Sequence, residues 1–370
     1  MYITEIEPIK LRYKPKYAPR DGLANIPYRD VFLVAIHTDQ GESGVGEGFA
    51  LGSLESMEVL VNETLKPLLI GEDPLLIEHI WNKMYQQTFR YGRRGIVLAA
   101  ISAIDIALWD LLGKRAKLPV CKILGCAHDS LIPYASAGYY AEGKTLSDLK
   151  EEAKGYLERG FKIMKMKVGG ASLQEDMKRI SAVRDAVGSD MELAVDANNA
   201  WDFRTALKMA RFCESMNICF LEEPLSSDFL ADSVRLVSST STPIAGYETE
   251  LTRFGLKEFI VNHGVDIVQT DVIWTGGISE ARKIGALAAA WNKPIIMHFS
   301  ASMVSLAANL QFALSHENTV YFEYTLDENP LRDKLSRNPI QMKDGVVRVS
   351  DLPGIGIELE PDVIEEFRIK

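Results

Sequence analysis

The sequence predicts an α/β barrel preceded by a smaller α+β domain, and three observations carry that reading. Seven charged or proton-handling residues, Lys167, Asp196, Glu222, Glu248, Asp271, His298 and Glu323, follow one another at intervals of 23 to 29 positions. A strand, a loop and a helix together take about that length in a (β/α)₈ barrel of roughly 250 residues. Each of the seven closes a short apolar run: Ile163-Met164, Leu193-Ala194-Val195, Cys219-Phe220-Leu221, Pro243-Ile244-Ala245, Ile267-Val268, Pro294-Ile295-Ile296 and Val320-Tyr321-Phe322. Such runs read as buried strands, where a charge is rare unless paired or metal-bound. Residues before about position 127 have a different pattern, alternating first and helical afterwards. Seven such residues at one end of successive strands describe a single site at the mouth of a barrel.

In the first domain, alternation over Tyr2–Lys10 and Val31–His37 predicts antiparallel strands, with a Gly-rich return through Gly41, Gly44, Gly46 and Gly48. Helical spacing follows over Leu54–Leu69, Pro74–Phe89 and Gly95–Leu112, the last expected to stop at Gly113-Lys114. From Ile132 the pattern becomes strand, loop and amphipathic helix in repetition. Ile132–Ala137 supplies the first strand, Ser147–Glu158 a helix with Ser147 as N-cap, and Lys162–Val168 the second strand. After Glu323 the repeat ends. The tail, residues 333–370, is too short for a domain and is expected to return and pack on the first one.

At 370 residues the chain allows one large domain and a smaller one. A net charge of -10 argues against nucleic acid or an anionic membrane as partner, though a small anionic substrate stays compatible. Met1 to Lys10 shows no signal peptide. The longest apolar stretch, Ile96 to Leu112, contains Asp105 and Asp110. Each would cost roughly 3 kcal/mol at a bilayer centre, so a buried helix is expected. Cys121, Cys126, Cys213 and Cys219 lack metal-ligand spacing and read as reduced thiols of a cytoplasmic protein.

Asp196, Glu222 and Glu248 are expected on strands three, four and five, with neighbouring strands about 4.8 Å apart. Two carboxylates about 4 Å apart repel by about 4 kcal/mol at an effective dielectric near 20. Three of them call for a cation, and hard oxygen ligands point to Mg²⁺, with Mn²⁺ next. Asn198 lies two residues beyond Asp196 and is a candidate to orient a ligand, while Glu223 is expected to point away into a structural ion pair. Lys165 and Lys167 should share one side of strand two, with Met166 opposite. At roughly 7 Å their repulsion of about 2.4 kcal/mol would push one toward neutrality, as a general base requires. Asp271 would orient His298 across the mouth, and a buried Glu323 would donate a hydrogen bond if protonated.

Two loops are candidate lids. Arg12–Arg29 carries Lys14, Lys16, Arg20, Tyr13, Tyr17 and Tyr28, and Phe49–Ser56 is small and apolar. Lys14, Tyr17, Arg20 and Tyr28 are the candidate substrate contacts, donors suited to an anionic, hydroxylated ligand.

The ordered series Lys165-Met166-Lys167, Asp196-Ala197-Asn198, Glu222-Glu223-Pro224, Gly246-Tyr247-Glu248, Asp271, His298 and Glu323 resembles the mandelate racemase subgroup of the enolase superfamily. The resemblance spans the chain and includes Ala107-Leu108-Trp109-Asp110 with Gly113-Lys114. It implies a modified TIM barrel, (β/α)₇β, over residues 128–332, with an α+β capping domain over 1–127. It further implies Mg²⁺ at Asp196, Glu222 and Glu248, and Lys167 as a base facing the Asp271–His298 dyad. Lys165 would assist at the substrate carboxylate and Glu323 would contact one of its oxygens. A homo-oligomer, octamer or dimer, is also implied.

The same residues serve racemisation, β-elimination of water and cycloisomerisation in that family. A lid rich in Tyr, Lys and Arg suits a polyhydroxy acid. The favoured expectation is therefore dehydration of an aldonate, aldarate or similar acid sugar to a 2-keto-3-deoxy acid. A metal-dependent hydrolase would want His-x-His on the first strand, and Ile132–Ala137 has none. A non-catalytic binding barrel would have little use for both Lys167 and the Asp271–His298 pair.

Overall fold

Close approach between a glycine strand and an alanine helix builds the first domain. The computed structural model describes residues 1–369, so Lys370, the end of the expected tail, lies outside the described residues. Strands β1 (Ile3–Tyr13), β2 (Arg29–Thr38) and β3 (Ser43–Gly48) form an antiparallel sheet in that order. The Gly-rich segment expected as a return is thus itself a strand. Gly44, Gly46 and Gly48 share one face, where an added Cβ would fall 2.0, 2.1 and 2.4 Å from the carbonyl oxygens of Ala107, Ala103 and Ala99. Glycines at every second strand position and alanines at every fourth helix position let the two backbones touch.

That helix runs over Ile96–Ala116, past the stop expected at Gly113, and is closed by Lys117 in a left-handed conformation. Gly113 has another purpose: a Cβ there would sit 2.6 Å from the Cα of Gly354 in the returning tail. The helix is apolar enough to cross a membrane by length and composition, but 89% of its most apolar window is buried in the fold. Its two acids are tie points. Asp110 accepts from Val45 N and Ile355 N, both at 2.9 Å, and Asp105 accepts from Ser279 N at 3.0 Å.

Eight parallel strands close a barrel: β4 (Pro133–Ala137), β5 (Ile163–Lys167), β6 (Glu192–Asp196), β7 (Ile218–Glu222), β8 (Ile244–Gly246), β9 (Ile267–Thr270), β10 (Ile295–Met297) and β11 (Thr319–Thr325). A helix of eight or more residues follows each of the first seven, whereas β11 leads only into a single turn at Pro330–Asp333. The architecture is therefore (β/α)₇β with an N-terminal α+β cap. The helix after β4 spans Leu146–Glu158, and its N-cap is Thr145, not the expected Ser147. Thr145 and Asp148 close a reciprocal capping box three residues apart, which Ser147 cannot do.

Tyr134, Ile163, Ala194, Phe220, Ala245, Ile267 and Ile296 fill the barrel interior beneath the site. Cap and barrel share one apolar core, pinned by Trp81 Nε1 on Gly276 O at 2.7 Å and Trp109 Nε1 on Ser279 Oγ at 2.9 Å. The tail bonds to Leu131 through Val347, reaches the long helix through Ile355, and meets β1 where Ile369 N bonds Lys10 O at 3.0 Å.

Candidate active site

Strand pleating decides which side chains reach the barrel mouth. On β5, Lys165 and Lys167 point inward on either side of Met166, and Lys167 is in register with Asp196, which in turn pairs with Glu222. Both lysines are buried. Lys165 Nζ lies 2.5 Å from Glu222 Oε1, 2.9 Å from Glu323 Oε1 and 3.6 Å from Asp196 Oδ2. Lys167 Nζ lies 2.5 Å from Asp196 Oδ2. The expected drop in lysine basicity is not found here. Burial does oppose the ammonium, but Glu222 and Glu323 around Lys165, and Asp196 beside Lys167, outweigh it and raise both. Mutual repulsion between the lysines is the smaller effect because each has its own carboxylate.

Those pairings also draw Asp196 and Glu222 toward β5. Among the described residues, no three Asp, Glu, His or Cys side chains come together tightly enough to cage a cation as they stand. The chemistry of the donor set nevertheless fits one. Glu222 Oε2 and Glu248 Oε2 are buried without a hydrogen-bond partner. Burial, followed by Asp196, pushes Glu222 well above the usual carboxylate range, and burial also raises Glu248. Buried carboxylate oxygens that lack donors are what a hard divalent cation satisfies.

Across the mouth, His298 Nδ1 is 2.8 Å from Asp271 Oδ2, while Asp271 Oδ1 accepts from Asn309 Nδ2 at 2.8 Å and Ile273 N at 3.0 Å. The aspartate thereby fixes the ring and leaves Nε2 facing the cavity, 3.4 Å from Glu248 Oε2. Burial works against the imidazolium, yet Glu248 and Asp271 prevail and push His298 up to about 10. Glu323 departs from expectation. Burial favours its neutral form, but Lys165, His298 and Lys167 hold it below the usual range, and Oε2 accepts from Phe299 N at 3.0 Å. It is an ionised acceptor, not a neutral donor.

A cavity of about 130 Å³ lies between this group and the cap, and Lys167, Glu248, His298 and Asn198 all border it. Asn198 has a left-handed backbone with its N–H on Asp196 Oδ1 at 2.9 Å. Glu223 borders the cavity too, which corrects the expected ion pair. Its partners are Asn199 Nδ2 at 2.6 Å and Thr249 Oγ1 at 3.1 Å, and burial with nearby Glu248 pushes it to about 8. Tyr247 is a core residue bonded to Ser233 Oγ at 2.8 Å.

Both expected lids contribute to the cavity wall, the first through only one of its four expected side chains. Tyr28 is on the wall, as are Phe49, Ala50 and Leu51. Lys14 and Tyr17 are exposed and do not border it. Arg20 instead lies over the Tyr140 ring and donates to Gly170 O at 2.8 Å, beside a separate cleft of about 430 Å³ that holds none of the seven barrel residues. The loop alternates, burying Pro15, Pro19 and Ile26, so its polar tips turn outward.

Comparison with known proteins identifies the family. Residues 24–125 match the mandelate racemase / muconate lactonizing enzyme N-terminal domain, and residues 148–363 match the enolase C-terminal domain-like family. The chain belongs to the mandelate racemase group of the enolase superfamily. Within this superfamily it is 43% identical to an arabinonate dehydratase of Saccharolobus solfataricus, over 100% of both chains. It is 34% identical to a D-galactarolactone cycloisomerase of Agrobacterium fabrum over 91% of each. A racemase from Streptomyces coelicolor solved with bound magnesium superposes with a TM-score of 0.92 at 28% identity, covering 99% of this chain and 100% of that one.

Several residues that shape the mouth of this superfamily member went unnoticed in the sequence. Arg29 is buried beside the cavity, Trp274 stacks on Phe49 at 4.0 Å, and the Tyr139 ring lies 5.4 Å from Lys167 Nζ. Asn309 carried a signal: with Ser305 and Gln311 it interrupts the otherwise apolar helix Met303–Ala313.

Proposed function

We propose that this chain dehydrates an acid sugar to its 2-keto-3-deoxy acid, with Mg²⁺ (or Mn²⁺) held by Asp196, Glu222 and Glu248. The observation that carries the reading is the pair of opposed proton-handling groups, Lys167 on β5 and the Asp271-oriented His298 after β10, on one enclosed cavity. Its similarity over the full length to an arabinonate dehydratase supports the elimination branch.

When bound, the cation would supply electrostatic stabilisation to the substrate carboxylate. Lys165, ionised between Glu222 and Glu323, would steady the same carboxylate through its ammonium. Lys167 Nζ or His298 Nε2, in the deprotonated form that engagement of Asp196 and Glu248 by the cation would favour, takes the C2 proton, and the electrons of that bond move toward C1 to give the enediolate. Their return forms the C2–C3 double bond and breaks C3–O, with His298 Nε2–H protonating the departing hydroxyl. The resulting enol tautomerises to the 2-keto product. Residues 1–127 and the tail 333–370 would act as the cap on the 128–332 barrel, which excludes water from the carbanionic step. Assembly as a homodimer or octamer is part of the proposal and is checked by light scattering.

The test is a panel of acid sugars incubated with and without Mg²⁺, with a carbonyl reagent detecting 2-keto acid. Cation-dependent keto product is expected. Keto acid formed only from a cyclic lactone or anhydro acid, isomeric with it and with no water lost, would favour cycloisomerisation, to which the 34% identity with the galactarolactone enzyme points. Epimerised substrate alone would favour racemisation.

A further inference from the structure

Lys165, Lys167, His298 and Glu323 all belong to the barrel, so the substrate carbons beyond the reacting pair must lie against the cap. The charges on that wall are almost entirely matched. Arg29, the first residue of β2, is 6% exposed and its guanidinium is ion-paired with Asp327, just beyond β11. Its Nη1 lies 3.4 Å from Ser300 Oγ, Nη2 makes the contact with Asp327, and Nε has no hydrogen-bond partner. Arg332 also touches Asp327, at 3.3 Å, but has its own counter-ion in Asp333 at 2.8 and 3.0 Å. Two arginines therefore share two aspartates.

Next to Arg29, Asp30 is gripped by Arg12 at 2.6 and 2.9 Å and accepts from Gly52 N at 3.0 Å. Asp21 is bonded only to backbone N–H groups, those of Leu23 and Ala24 at 2.8 and 2.7 Å. Among the described residues, the cations that border the cavity are Lys167 and His298 at the reacting end and Arg29 alone on the cap side. Its N–H groups remain able to donate to neutral oxygens, but its charge is already matched. A second carboxylate on this wall would meet Asp21, which has no cation, and Asp30, which Arg12 already holds, with no free cation of its own, and like charges placed together discriminate against it.

We infer that the site takes a polyhydroxy acid with one carboxylate, an aldonate, and rejects the aldarate of the same length. Arg29 is the donor to distal hydroxyls, and Asp327 withholds its charge from a second carboxylate. The inference rests on the dehydratase reading and deepens it by naming the substrate class.

The experiment compares kcat/KM for C5 and C6 aldonates with the matching aldarates, in wild type and in Asp327→Asn, using Mg²⁺-loaded enzyme. Wild type should favour the aldonate by roughly a hundredfold, and Asp327→Asn should narrow that ratio by about tenfold or more as Arg29 is freed. Equal or faster turnover of an aldarate by wild type overturns the inference while leaving the dehydratase reading in place. An unchanged ratio in a folded Asp327→Asn enzyme overturns the role given to Asp327. If no keto acid forms but C2 exchanges deuterium with solvent, the dehydratase reading fails instead, and the exchange rates still give the aldonate-to-aldarate ratio. Should Asp327→Asn not fold, the wild-type ratio decides alone.

Discussion

Each ionisable side chain at the barrel mouth is set by what burial denies it and what its neighbours restore. Asp196 shows the balance: burial favours its neutral form, but Lys167 and Lys165 overcome that and hold it below the ordinary range. Lys167→Ala and His298→Asn each remove one of the two groups proposed to move protons. Each should lower kcat by about two to four orders of magnitude with an unchanged far-ultraviolet spectrum, since general acid–base catalysis contributes on that scale. A His298→Asn enzyme that still eliminates water at the wild-type rate would remove His298 from the leaving-group step. The carboxylates, lysines and histidine were legible because a charge ending an apolar run is costly without a purpose. Arg29 was not legible. It follows Tyr28 at the end of a loop of mixed polar, aromatic and apolar residues with no periodicity to mark one as buried, and only closure of the cap against Asp327 and Ser300 buries it.

At the scale of elements, two buried acids join the cap to neighbouring helices. Glu47 on β3 accepts from Ser302 Oγ at 2.5 Å and Ser305 N at 2.8 Å, at the start of the helix Met303–Ala313. Burial pushes it from 4.5 to about 7, and burial pushes Asp105 from 3.8 to about 7. An acid whose folded value is raised binds more protons folded than unfolded, so its contribution falls as pH rises. That contribution is whole below the unfolded values, declines between roughly pH 4 and 7, and is lost above. Denaturant midpoints measured at about pH 5 and pH 8 should show Glu47→Gln and Asp105→Asn gaining stability relative to wild type at the higher pH. No relative gain would mean that the hydrogen bonds to the ionised forms outweigh burial. The glycine strand explains one failure of sequence reading. Gly44, Gly46 and Gly48 look like a turn because glycine has little intrinsic preference for strands, and the reason for them lies 51 to 63 residues away in Ala99, Ala103 and Ala107.

For the whole molecule, the repeat that predicted eight strands depends only on local pattern, which is why barrel and cap were legible together. The lid positions depend on how two domains close, so Lys14, Tyr17 and Arg20 lie off the cavity while Tyr28 borders it. Net charge adds a further consequence. The chain carries -10 overall, and Asp196, Glu222 and Glu248 bring three buried carboxyl groups to the barrel mouth. A cation that binds the folded form alone stabilises it by mass action. Mg²⁺ should therefore raise Tm in a concentration-dependent way, and Glu222→Gln should blunt the rise. An identical rise in that variant would place the cation elsewhere.

The most direct test of the central claim, proton abstraction beside a carboxylate followed by loss of water, is turnover of an aldonate in D₂O followed by NMR. The account predicts a Mg²⁺-dependent 2-keto-3-deoxy acid carrying one solvent deuterium at C3, which enters when the enol tautomerises. Substrate recovered with deuterium at C2 and no keto acid, or keto acid with only protium at C3, would contradict it.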